Sequence, residues 1–147
     1  MSKNMKKMIS RMVSHRSFPY VMAFLMPFII CVVICIGNGV YPFGDNCILH
    51  IDMYHQYCPF FTEFLHKLRT GGSLQYSWNL GLGSDFVSLY AYYLASPLNF
   101  LIVLFPKRNM MDAMALLIVI KIGLCGLTSA WYFSTKSKGQ TYMPLVF

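Results

Sequence analysis

Residues 18–40, FPYVMAFLMPFIICVVICIGNGV, contain 23 residues and no charge. As a helix rising about 1.5 Å per residue they reach roughly 34 Å, enough to cross a hydrocarbon core with slight tilt. Pro19 suits a first helical turn and Pro27 predicts a kink. Basic residues followed by an apolar run also describe a signal peptide. This run is too long for that and no small-x-small cleavage pattern follows it, so a retained anchor is the better reading.

The composition agrees. Of 147 residues, 56% are hydrophobic and only 12% charged, against about 25% charged in soluble domains. Mean hydropathy is +0.51. The chain reads as a membrane protein. Its net charge of +7 does not indicate nucleic acid, because the basic residues are not spread along a binding face. Lys3, Lys6, Lys7, Arg11 and Arg16 precede the apolar run with no acid among them, which describes a cytoplasmic, positive-inside terminus over residues 1–17.

Residues 110–133 form a second span, with Lys136 and Lys138 in the tail, 134–147. Between the spans lie residues 41–109, expected on the extracytoplasmic side. There Tyr54, Tyr57, Cys58, Phe61, Phe64, Leu65 and Leu68 recur at three and four, with His55, Gln56, Thr62, Glu63, His66 and Lys67 on the opposite face. The spacing predicts an amphipathic helix over about 53–69 lying in the membrane interface, with Pro59 marking a kink or a later start and Gly71-Gly72 a stop. SLQYSWNLGLGSD, 73–85, reads as a loop. Its glycines do not make a nucleotide loop, for it lacks the lysine and the flanking strand and helix.

Residues 86–105 carry no charge, yet Ser96-Pro97 and Asn99 interrupt them. Ser88, Ala91, Ala95 and Asn99 form a small polar stripe opposite Leu89, Tyr90, Tyr93 and Leu94. A broken juxtamembrane helix fits this pattern, and a third span fits the length. Basic residues divide seven to four across the membrane under either topology. The expected class is an all-α membrane protein: two transmembrane helices joined by a segment with interfacial juxtamembrane helices, or three spans.

Five cysteines form neither a disulfide framework nor a zinc spacing. Cys31, Cys35 and Cys125 read as small hydrophobes. Cys47 and Cys58 could pair outside the cell, with free thiols the simpler reading.

Two residues stand out chemically. Asp52 sits in HIDMYHQYCPFF, 50–61, between His50 and His55. It either caps the helix that follows or presents a carboxylate at the water–lipid boundary, able to take a proton from an acceptor hydroxyl or to hold a divalent cation. H-x-D-x-x-H is not a metal-ligand spacing, and no metal ligands are assigned. Lys121 falls at the middle of the second span, where a lysine usually faces a bundle interior or an aqueous cavity. Asp112, nine residues earlier, lies on the opposite helix face. Gly123 and Gly126 allow close helix approach. Trp78, Tyr76 and Tyr90, Tyr92 and Tyr93 suit an interfacial aromatic belt, or stacking on sugar rings.

The ordered set PFGDN, HIDMYHQYCPFF, LRTGGSLQYSWNLGLGSD, LYAYYLASPLNFLIVLFP and KIGLCGLT resembles the N-terminal region of the YfhO family of bacterial membrane proteins, from about Tyr41 to Thr128. The resemblance implies a multi-pass protein of the bacterial plasma membrane, a GT-C-type glycosyltransferase. Such an enzyme would transfer sugar from a polyprenyl (undecaprenyl) phosphate to a cell-envelope polymer such as teichoic acid. It also implies Asp52 as the catalytic carboxylate, Gln56, Tyr57, Trp78, Asn79 and Lys121 as substrate-binding residues, and two spans rather than three. Family members are longer. Two spans cannot enclose a lipid donor and an acceptor together, so a fragment or truncated product is expected and catalysis refers to the full-length protein. Two other classes compete: a lipid transporter or flippase-like module using Lys121, and a non-catalytic membrane assembly or binding protein.

Overall fold

The computed structural model describes residues 17–136. The basic terminus before Ser17 and the end of the tail, including Lys138, lie outside them. The chain divides into two compact units. One comprises the residues up to Ile34 and from Val119 onward, the other Cys35–Ile118.

Helix α1, Phe18–Gly37, and helix α4, Met110–Lys136, are the two helices long and apolar enough to cross a membrane. Within the first unit they meet through small residues. A Cβ on Gly126 would collide with the Ala23 carbonyl, and one on Gly123 would stand 2.8 Å from the Phe24 ring. The Tyr20 hydroxyl donates to Ser134 Oγ at 2.7 Å. Glycine is what permits this approach.

In the second unit, α1 stops at Gly37, short of the apolar run's end at Val40. Gly39, at φ +60°, turns the chain left-handed. Gly39 N–H then donates to Ile36 O and Val40 N–H to Cys35 O at 3.1 and 2.9 Å, closing the helix with its last carbonyls satisfied.

The amphipathic stretch forms a π-helical turn, Met53–Tyr57, running into α2, Cys58–Thr70. Pro59 sits at the start of α2 and gives no N–H to the carbonyls of the turn before it, and the wider π turn lies directly before it. Gly71, at φ +67°, ends the helix. Phe61, Phe64 and Leu65 are buried with Phe86, Leu94, Ile102, Met110, Met114 and Leu117. Each large apolar side chain so buried contributes about 1.5–3 kcal/mol.

The stretch read as a loop instead contains a short antiparallel hairpin. Strand β1, Tyr76–Ser77, pairs with β2, Ser84–Asp85, in the register Tyr76↔Asp85 and Ser77↔Ser84. Alternation over two-residue strands is too short to register in the sequence. Gly83 lies at φ +103°, and a Cβ there would run into the Tyr76 hydroxyl.

The uncharged stretch that follows is bent. Helix α3, Phe86–Leu89, passes into a π-helical turn, Tyr90–Leu94, and a 3₁₀ helix, Pro97–Leu104, leaves it at 99°. No straight third span forms here. Arg69 donates to the carbonyls of Val103 and Phe105 at 3.1 and 2.7 Å, so a guanidinium closes the far end of the 3₁₀ helix. Asn99, expected on the polar stripe, is 1% exposed and its amide donates to Leu94 O at 3.2 Å. At three residues per turn Asn99 and Ile102 share the buried face. The bend that turns this face inward is not visible from spacing alone.

Candidate functional site

All site residues named from the sequence except Lys121 fall in the second unit, on the run 52–70 or on the hairpin packed against its far end.

The first is the start of the π turn. Ile51 holds φ +47° while 77% exposed. A β-branched residue in this left-handed region costs of order 1–3 kcal/mol, and such strain clusters at functional sites. Asp52 follows, exposed, with helical backbone angles and no side-chain capping hydrogen bond. The first N–H groups of the turn are taken by backbone instead: Met53 N–H donates to His50 O and Tyr54 N–H to Ile51 O, at 3.1 and 3.0 Å. The capping expectation for Asp52 is therefore not met, because its own backbone is already helical. A cap residue needs extended backbone to turn its oxygen onto the following N–H groups. Asp85 has that backbone (ψ 111°), accepts from Val87 N–H at 3.0 Å and also from Ser88 Oγ. These bonds hold its carboxyl below the ordinary range, Ser88 contributing most.

One turn on, Gln56 Nε2 donates to the Tyr93 hydroxyl at 3.1 Å, and the Tyr57 ring meets Tyr93 edge-on at 4.8 Å. Phe60 lies against the same ring at 5.1 Å. Tyr93 is the residue that sequence reasoning left in an aromatic belt. Its 37-residue separation from Gln56 gives no signal, since only the chain reversal through residues 71–85 and the packing of the π turn Tyr90–Leu94 on the run 53–70 unite them.

The second place is the other end of α2. Glu63 and Lys67, placed on the solvent face by periodicity, are 6% and 7% exposed. The hairpin folds over them. Glu63 accepts from Ser77 Oγ at 2.6 Å and from Asn79 Nδ2 at 2.9 Å. Lys67 Nζ donates to Ser73 O and Tyr76 O at 2.5 and 2.9 Å, stands 3.6 Å from Glu63 Oε1 and lies over the Phe86 ring at 5.0 Å. Burial pushes the Glu63 carboxyl up, but Ser77, Asn79 and Lys67 together outweigh it and hold it below the ordinary range. Every ionised group here has partners, which is the condition for burying charge. Asn79 is thus engaged with Glu63. Trp78 is 78% exposed, edge-on to Tyr76 at 4.9 Å.

Lys121 is half-buried in α4 within the first unit. His50 and His55 are exposed, His55 edge-on to Tyr54. Among the described residues no three His, Cys, Asp or Glu side chains are grouped to hold a metal ion. Cys47 and Cys58 are free thiols, and burial pushes Cys58 up. A cavity of about 170 Å³ lies between the loop after α1 and the first turn of α4. Asp45, Asn46, Tyr41 and Asp112 line it, and Asp52 does not.

The class these features define is a helical membrane protein with two candidate spans and, between them, a folded segment of short helices and a hairpin. A family model described as "Bacterial membrane protein YfhO" matches residues 22–147. The chain belongs to the YfhO family. No curated protein and no solved structure matches it.

Proposed function

We propose that the chain contributes the carboxylate-bearing part of a multi-pass glycosyltransferase of the bacterial plasma membrane, moving a sugar from a polyprenyl phosphate to a cell-envelope polymer. In this reading an acceptor hydroxyl attacks the anomeric carbon. The bond from that carbon to the phosphate oxygen breaks, polyprenyl phosphate leaves, and Asp52 takes the hydroxyl proton. Gln56 and Tyr57, fixed by Tyr93, line the approach to that carboxylate.

One observation carries the reading. Asp52 is an exposed carboxylate with no capping hydrogen bond, directly after a backbone position held in strain. Its neighbours are tied down while it is left available. The family and the two candidate spans supply the membrane setting.

The test is Asp52→Asn in the chain's native genomic context, with membrane abundance checked by immunoblot and envelope-polymer glycosylation measured by mass spectrometry. Loss of a general base predicts a fall of about 100-fold or more. Glycosylation at the wild-type level with normal abundance would refute the assignment.

A further inference from the structure

Away from the Asp52 region stand the cavity lined by Asp45 and Asp112, the thiols of Cys47 and Cys58, and the hairpin tip. The tip carries an argument of its own. Leu82 is 100% exposed and Trp78 78%, both between the two strands of the hairpin. Residues 70–84 hold no charged side chain. The charges beneath, Glu63 and Lys67, are buried and turned onto each other and onto the hairpin's own backbone.

We propose that the tip of the β1–β2 hairpin is a membrane wedge, with Trp78 and Leu82 inserted among the acyl chains and head groups of a lipid bilayer. Three features fit a bilayer as the occupant. The first is location. The unit that carries the hairpin also holds the last residues of α1 and the first turns of α4. The hairpin thus lies on a segment joined at both ends to helices that can span a membrane, which keeps a bilayer within its reach.

The second is that part of the tip's backbone is bonded within the hairpin. Gly83 N–H donates to Leu80 O and Asn79 N–H to Ser77 Oγ, at 3.0 and 3.2 Å. N–H groups bonded internally do not need water, which eases entry into a low-water layer. The third is size. A specific protein interface needs about 1,000 Å², while a Trp and a Leu on one turn offer a small fraction of that. A bilayer asks only that they pass the head-group level, where Trp is at home.

Trp78 and Trp131 are the two tryptophans, so Trp131→Phe leaves Trp78 as sole reporter. The whole chain carrying this change is reconstituted into phosphatidylcholine–phosphatidylglycerol vesicles, with and without bromine on the acyl chains. Brominated lipid is expected to quench Trp78 emission while aqueous acrylamide is largely excluded. Leu82→Asp, at a fully exposed position, should reverse both effects while leaving the protease pattern of the folded chain unchanged. If Trp78 is open to acrylamide and indifferent to bromine, the tip faces water or a protein partner and the proposal fails. It fails equally if Leu82→Asp changes neither quenching. Neither result touches the role of Asp52, which is read from glycosylation.

Discussion

Asp52 and Glu63 are carboxylates on one helical run, and they live under opposite conditions. Glu63 is buried, accepts from Ser77 and Asn79, and faces Lys67. Asp52 is exposed and its side chain caps nothing. Glu63 binds the hairpin to α2, and both of its oxygens serve the fold. Asp52 is set just past the strained Ile51 and left open. Glu63 is engaged in the fold, and Asp52 is the carboxylate left available for the proposed chemistry.

The sharpest way to break this contrast is Glu63→Ala. It leaves a buried ammonium with two carbonyls and the Phe86 ring but no carboxylate beside it, and strands Ser77 and Asn79. The expected loss is about 3 kcal/mol, read as faster hydrogen exchange and earlier proteolysis across residues 73–85 with α1 and α4 unaffected. A loss below about 0.5 kcal/mol, the scale of an ordinary surface change, would place Glu63 with Asp52 and dissolve the distinction.

Acid should produce the same effect reversibly. The folded Glu63 carboxyl sits below its unfolded value, about 4.3. Its stabilisation is therefore complete above that value and is lost as pH falls through the lower folded value. In Trp131→Phe, Trp78 emission should hold steady from pH 7 to about 5 and change below about 4. Asp85 is also held low and titrates in the same window. Glu63→Gln in that background isolates the contribution: a profile that remains unchanged would assign the transition to Asp85.

The sequence showed some of this and hid the rest for physical reasons. Local chemistry was legible. The charge-free run of 18–40 gives α1, Gly71 ends α2 because only glycine takes φ +67° without strain, and Gly126 marks where α4 meets Ala23. What periodicity could not see is a second segment folding back. Helical spacing sorts Glu63 and Lys67 to the polar face correctly, yet that face is roofed by a hairpin whose strands are two residues each. Asn99 went inward for the same reason, through a 99° bend. The candidate site was half legible. Asp52 stands out in the sequence because an acid just past a span is rare in a chain with five acidic residues, whereas the bond from Gln56 to Tyr93 does not, because nothing local links the two.

The two aspartates sharpen the contrast at a smaller scale. Asp85→Ala removes the acceptor for Val87 N–H and should destabilise the start of α3, seen as fraying in hydrogen exchange. Asp52→Ala removes no acceptor and should change stability by less than about 0.5 kcal/mol. If it destabilises as much as Asp85→Ala, Asp52 is a cap after all and a loss of activity in Asp52→Asn could be a folding effect. If it leaves stability untouched, the same loss of activity reports on the carboxylate's chemistry, because nothing in the fold depends on it.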